Sequence, residues 1–181
     1  MTKKTDRRLS CSKSKKASIK AALLATAAKR KNQVCKVFEC KVVQKRLNKT
    51  QREELAKLFI EGKWFYNHVL DIHKNGEKLN KINSTHIREI RHFNRDKQEI
   101  VSPLEILSSQ QKQAIVTRMN QNEKTIITLV KKGVQEHGEL HFRKELTCIP
   151  LKQYGITYRF KSFNKVKIQG ISGTVLVRTG N

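Results

Sequence analysis

Residues 155–169 read GITYRFKSFNKVKIQ. Apolar and polar side chains alternate on either side of Ser162-Phe163-Asn164, the pattern of two short strands, Gly155–Lys161 and Lys165–Gln169, joined by a hairpin connection. Leu140–Arg143 and Thr174–Arg178 share that period, so the chain after Gly138 is predicted to be β. Alternation sets Arg159 and Lys161 on the face opposite Tyr158 and Phe160. Arg143, Lys144, Lys152, Lys165 and Lys167 fall on or between the same strands with few acids nearby. A basic strand face of this kind is a platform for RNA.

Upstream of Gly138 the period is helical. Thr50-Gln51-Arg52-Glu53 has the form of a capping box, and Leu55, Leu58, Phe59, Phe65, Tyr66 and Val69 then share one helical face. Gly62 lies on that face, where its missing side chain would admit another backbone. Asn75-Gly76 marks a turn. Ser84 or Thr85 is predicted to cap a second helix running to about Gln98, with Arg88, Arg91 and Arg95 on its outward side. Ser102-Pro103 is a break. Ser108 or Ser109 then caps a third helix ending at Gly133, striped by Ile115, Met119, Ile126 and Val130. Val34–Val43 predicts one strand before this block. The expected fold class is therefore α+β: a small split β-barrel from residues 34–47 and 138–181, with three helices inserted over 48–137.

The charge of the chain is lopsided. It holds 39 Lys+Arg against 15 Asp+Glu, a formal net charge of +24. Residues 1–36 contribute twelve of those cations and a single acid, Asp6, so the segment 1–33 reads as a basic tail, mostly disordered. Ser18–Lys31 is Ala-rich enough for a short helix within it. The remaining residues are still strongly cationic. A soluble chain this basic is matched best by the phosphate lattice of nucleic acid. No run approaches the roughly 20 apolar residues that cross a bilayer, so no membrane partner is expected. Ala21–Ala28 imitates the apolar core of an export signal, but Lys29-Arg30-Lys31 follows at once and opposes translocation. Four scattered cysteines without a Cys-x-x-Cys pair favour a reducing cytoplasm over a disulfide framework.

Catalytic and metal chemistry find little footing. His137 and His141 straddle Gly138, His68 and His73 have no cysteine at ligand spacing, and Cys148 beside Pro150 has no base partner in the sequence. No metal or other cofactor is expected. Trp64 lies off the apolar stripe that holds Phe65 and Tyr66, which makes it the better base-stacking candidate. Arg88, Arg91 and Arg95, with Lys112 and Arg118 on the third helix, are either a solvated charged surface or phosphate contacts. Lys124 reads similarly.

Val37–Val43, then Thr50-Gln51, then Trp64-Phe65-Tyr66-Asn67-His68-Val69-Leu70, resembles the N-terminal part of the TnpB proteins of bacterial insertion sequences. Those are RNA-guided DNA nucleases related to the type V CRISPR effectors. Leu107-Ser108-Ser109-Gln110 with Gln113, the segment Gly138–Lys144, and Ile156–Ile168 resemble later parts of the same pattern, although His141 stands where the family usually has Pro. The resemblance implies a wedge barrel split by a helical recognition lobe, with guide RNA and target DNA as partners. It further implies that Ser84, Thr85, Ser109 and Gln113 read the short motif beside the target, while Asn67 belongs to the family signature and is either a binding residue or a structural hydrogen-bonder.

The family's nuclease needs three carboxylates on two metal ions. This sequence has only Asp6, Asp71 and Asp96 as aspartates, none on an apolar strand. The chain as given is therefore expected to be no enzyme, with hydrolysis left to a separate nuclease-bearing segment. Its expected location is cytoplasmic and nucleoid-associated in a prokaryote. The rival readings are a fragment of an active RNA-guided endonuclease, a stand-alone basic RNA-binding or chaperone protein, and a DNA-binding regulator that blocks transcription.

Overall fold

The structure, a computed structural model, describes residues 3–31, 37–93, 96 and 98–179. It divides into two units, residues 1–39 and 40–181. The first contains one helix, α1, Lys3–Lys31. The sequence predicts helix only from Ser18; the structure continues it back to Lys3. Residues 15–29 are exposed on every side, including Ile19, Leu23 and Leu24. A stretch of helix whose side chains are all exposed is held mainly by the propensity of its Ala-rich sequence.

In the second unit, β1 (Cys40–Val42) and a 3₁₀ turn (Gln44–Arg46) lead into α2, Lys49–Lys74. The capping box falls two residues earlier than the sequence predicts, at Asn48 and Gln51 instead of Thr50 and Glu53. Asn48 accepts from the Gln51 backbone N–H at 2.8 Å, and Gln51 Oε1 accepts from the Asn48 N–H at 3.2 Å. Gln51 Nε2 is thereby aimed at the carbonyls of Ser172 and Thr174, 2.8 and 3.2 Å away. Beside it, Glu54 accepts from the Ser172 N–H and hydroxyl, both at 2.6 Å. The first turns of α2 are thus tied to residues some 120 positions later. α2 ends at the predicted turn, where Gly76 has a φ of 105°.

The second predicted helix is absent. Ser84 and Thr85 lie in a turn, and the chain continues as a hairpin of β2 (Glu89–Phe93) and β3 (Glu99–Pro103). Spacing of three and a period of two coexist in Ile87-Arg88-Glu89-Ile90-Arg91-His92-Phe93. The tie is broken by pairing, since the β-branched Ile100 and Val101 oppose His92 and Arg91. The inserted lobe therefore has two helices and a hairpin, not three helices. α3, Ser109–Lys131, begins with a second capping box, Ser108 with Gln111.

After α3 the chain has no named strand until β4 (Tyr158–Ser162), β5 (Lys165–Ile168) and β6 (Val175–Thr179), only an isolated bridge between Tyr154 and Tyr158. The predicted turn at Phe163-Asn164 joins β4 to β5. Leu140–Arg143 forms no strand, because the Arg143 N–H and carbonyl are both taken by the Asn67 side chain, at 2.8 and 2.9 Å. The four strands form one antiparallel sheet ordered β1-β6-β5-β4. The sheet is split in sequence, as predicted, with the lobe inserted between β1 and β4. It is open: β1 and β4 are its edges, and no pairing among the described residues closes it into a barrel.

One core joins the sheet to the lobe. Val166, Ile168, Val175 and Val177 turn inward towards a cluster that includes Phe65 and Val69 of α2, Ile90 of β2, and Ile115 and Met119 of α3. Gly62 does admit a close neighbour, but it is the side chains of Leu146 and Ile149, not a backbone. Ile126 is only partly buried and Val130 is exposed, so the stripe of α3 is core for its first half alone.

Candidate nucleic-acid interface

Residues directly opposite in an antiparallel pair share a face. Val166 pairs with Val175, and Val42 with Val177, which fixes the inner face of the sheet. The register then assigns the outer face. Arg159 stands opposite Lys167, Lys165 opposite Leu176, and Lys41 opposite Arg178. Five cations share that surface with no acid. All five are exposed, and none has an ion pair or side-chain hydrogen bond among the described residues.

Two of the three pairs set like charges directly across from each other, with Cβ atoms about 4.5–5.5 Å apart. Such pairs oppose folding, so the hydrophobic side of the sheet must carry the stability. Lys161, expected on the face of Arg159, lies in a register shift between Phe160 and Ser162, and Ser162 takes the place opposite Lys165. The bulge sits on an edge strand, where it discourages pairing with another chain.

The structure uses other predicted residues differently. Lys112 is buried, with 5% of its surface exposed, and donates to the Ile87 carbonyl at 2.7 Å. Burial lowers its pKa, Glu61 opposes that shift and Arg88 adds to it. Lys112 is thus a strut between α3 and the start of the hairpin. Trp64 does stack, but on His92, with ring centroids 3.9 Å apart and planes 13° apart. Asn67 is the structural hydrogen-bonder that clamps Arg143. Ser84 is buried, and the Thr85 hydroxyl donates to Asn83 Oδ1 at 2.8 Å. Ser109 and Gln113 are exposed in the first turns of α3. Arg91 is exposed and lies 3.8 Å from Glu99, and Arg88 precedes β2, so neither belongs to a helical face. Arg95 lies outside the described residues.

Arg118 and Arg143 come together around a cleft of about 140 Å³ that Tyr66 and Cys148 also line. Arg118 donates to Cys148 Sγ at 3.3 Å, and the Arg143 guanidinium lies 5.8 Å from the Tyr66 ring centre. Lys144 and Lys152 are exposed in the extended segment beyond.

Sequence reasoning missed three residues of consequence. Lys41 and Arg178 complete the outer face, but they meet only because β1 pairs with β6, and no local pattern announces that pairing. Glu61 is the third. It is 1% exposed and accepts backbone N–H groups from Glu105, Ile106 and Leu107 at 3.1, 3.0 and 2.8 Å. A carboxylate on the apolar face of a predicted helix was the available signal.

Among the described residues no group of His, Cys, Asp or Glu could hold a metal ion, and no helix is long and apolar enough to cross a membrane. No family model matches the chain, no curated protein matches it, and no solved structure matches its fold.

Proposed function

We propose that this protein binds RNA through the outer face of its four-stranded sheet, gripping phosphates without reacting with them. One observation carries the reading: five cations with no partner among the described residues lie on one acid-free face, and two cross-strand pairs of them repel each other. A fold gains nothing from that arrangement by itself. A polyanion laid over it releases counterions and removes the repulsion at once. The finer proposal follows the family resemblance. The chain is the guide-RNA- and target-DNA-binding portion of a TnpB-like transposon-associated protein, acting in transposition with a separate nuclease-bearing segment, in a prokaryotic cytoplasm at the nucleoid.

The test has two parts. Binding of RNA by the purified chain is expected to weaken steeply with salt, log K falling against log salt by roughly 0.7 for each single-strand phosphate neutralised. A flat salt dependence refutes the sheet as a phosphate platform. Sequencing the RNA that co-purifies addresses the finer proposal: one discrete species from a transposon end supports it, whereas bulk ribosomal RNA favours a stand-alone basic RNA-binding or chaperone protein.

A further inference from the structure

Phe163 is 94% exposed at the turn between β4 and β5. Nothing in the core needs it there. Its immediate neighbours, Ser162 and Asn164, are polar, and Lys161 and Lys165 stand just beyond them. The sheet register sets a third and fourth cation at the same end. Lys165 opposes Leu176, so Arg178, two residues further along β6, comes level with the turn, where the Val177 N–H donates to the Asn164 carbonyl at 2.8 Å. Lys41 opposes Arg178 in the next strand. A bare aromatic ring therefore stands at one end of a row of cations.

The geometry points to Phe163 as a base-stacking site for single-stranded RNA, holding one unpaired base on its ring while Lys165 and Arg178 take the flanking phosphates. This rests on the proposal that the sheet binds RNA and adds the form of RNA it selects. Phe163 is two residues from Lys165 across the turn, so the ring and the nearest lysine serve neighbouring groups of one nucleic-acid strand. A base offers its π-face only when it is unstacked, as in loops and single strands, and A-form duplexes keep theirs covered. An anionic membrane would also attract a phenylalanine among lysines. A membrane-inserting tip, however, carries several apolar residues, and here the ring is flanked by Ser and Asn.

The experiment compares the full chain with F163A, F163L and F163Y on a short oligouridylate, on the same strand annealed to its complement, and on phosphatidylserine vesicles. F163A is expected to lose about ten-fold or more in affinity for the single strand, the scale of one base–aromatic stack, with duplex binding and the salt slope unchanged. F163Y keeps the affinity and F163L does not, which separates stacking from mere apolar contact. Because the ring is exposed, all three variants are expected to melt like the parent chain.

Equal losses on single strand and duplex, or full activity in F163L, overturn the stacking site. So does a loss confined to the vesicles, which assigns the tip to lipid. A parent chain that binds oligouridylate steeply with salt, joined by an F163A that binds as well, sinks this inference and leaves the sheet proposal standing. A parent chain that binds no RNA sinks both.

Discussion

The inserted lobe and the outer sheet face are both rich in charge, and they use it in opposite ways. In the lobe, many charges have partners. Glu61 holds three backbone N–H groups, Lys112 holds a carbonyl, Lys57 pairs with Glu105, and His73 lies 3.0 Å from Glu123 across α2 and α3. On the sheet face, no cation has one among the described residues. A count of lysines and arginines does not separate these uses, but a list of partners does. Charge within the lobe is part of how the molecule stands up, whereas charge on the sheet is held out for something else.

The sharpest way to break this contrast is at Glu61. Replacing it with Ala leaves buried N–H groups of the 105–107 loop without an acceptor, at about 1–3 kcal/mol for each that water does not reach. E61A is expected to lose about 3 kcal/mol or more in urea unfolding, with the RNA affinity of the folded fraction unchanged. E61Q, which keeps an acceptor oxygen, is expected to lose less. A loss of RNA binding in E61Q with no loss of stability would show that the lobe's charges are not structural.

Lys112 comes next. K112M removes the donor to Ile87 and is expected to cost about 1–3 kcal/mol, again without changing the salt slope for RNA. A pH signature accompanies it. Burial holds the folded-state pKa of Lys112 below the ordinary 10.5, so between those two values the unfolded chain binds more protons than the folded one. Stability contributed through this group therefore rises with pH across that window. Urea titrations at successive alkaline pH values should show the rise in the parent and its absence in K112M.

The sheet predicts the reverse pairing of effects. K167E turns the repulsion with Arg159 into attraction and is expected to add about 0.2–1 kcal/mol to stability while weakening RNA binding. Thermal melts and RNA titrations on the same sample check both signs. If stability and affinity fall together, the face is merely structural. The smallest effect is expected at Glu54. Its hydrogen bonds from the Ser172 hydroxyl and N–H lower its pKa below the ordinary 4.5. The tie is therefore complete above that value and released as the pH falls through the lowered one. The protection of the Ser172 amide against exchange, relative to its intrinsic rate at each pH, should fall there before the sheet opens.

Much of this fold was legible where one period ruled. The hairpin around Phe163, the start of α3 at Ser108, and the burial of Phe65 and Val69 all follow from local pattern. The hairpin of β2 and β3 was not, because Ile87–Phe93 satisfies two periods and its partner strand decides between them. The site divides along the same line. Lys165 and Lys167 share one face by alternation alone and Arg159 joins them through the hairpin register, but Lys41 and Arg178 do so only through a pairing of residues more than a hundred positions apart. Lys112 was misread because a lysine beside a capping box looks like surface until its carbonyl is known.

β6 lies between β1 and β5, so the sheet has a late-arriving middle. β1 and β5 become parts of one surface only through residues 175–179. A ribosome-bound chain lacking them has Lys41 and Lys167 but no surface that joins them. The whole outer face is consequently assembled only once β6 has been made and has paired with both of its neighbours.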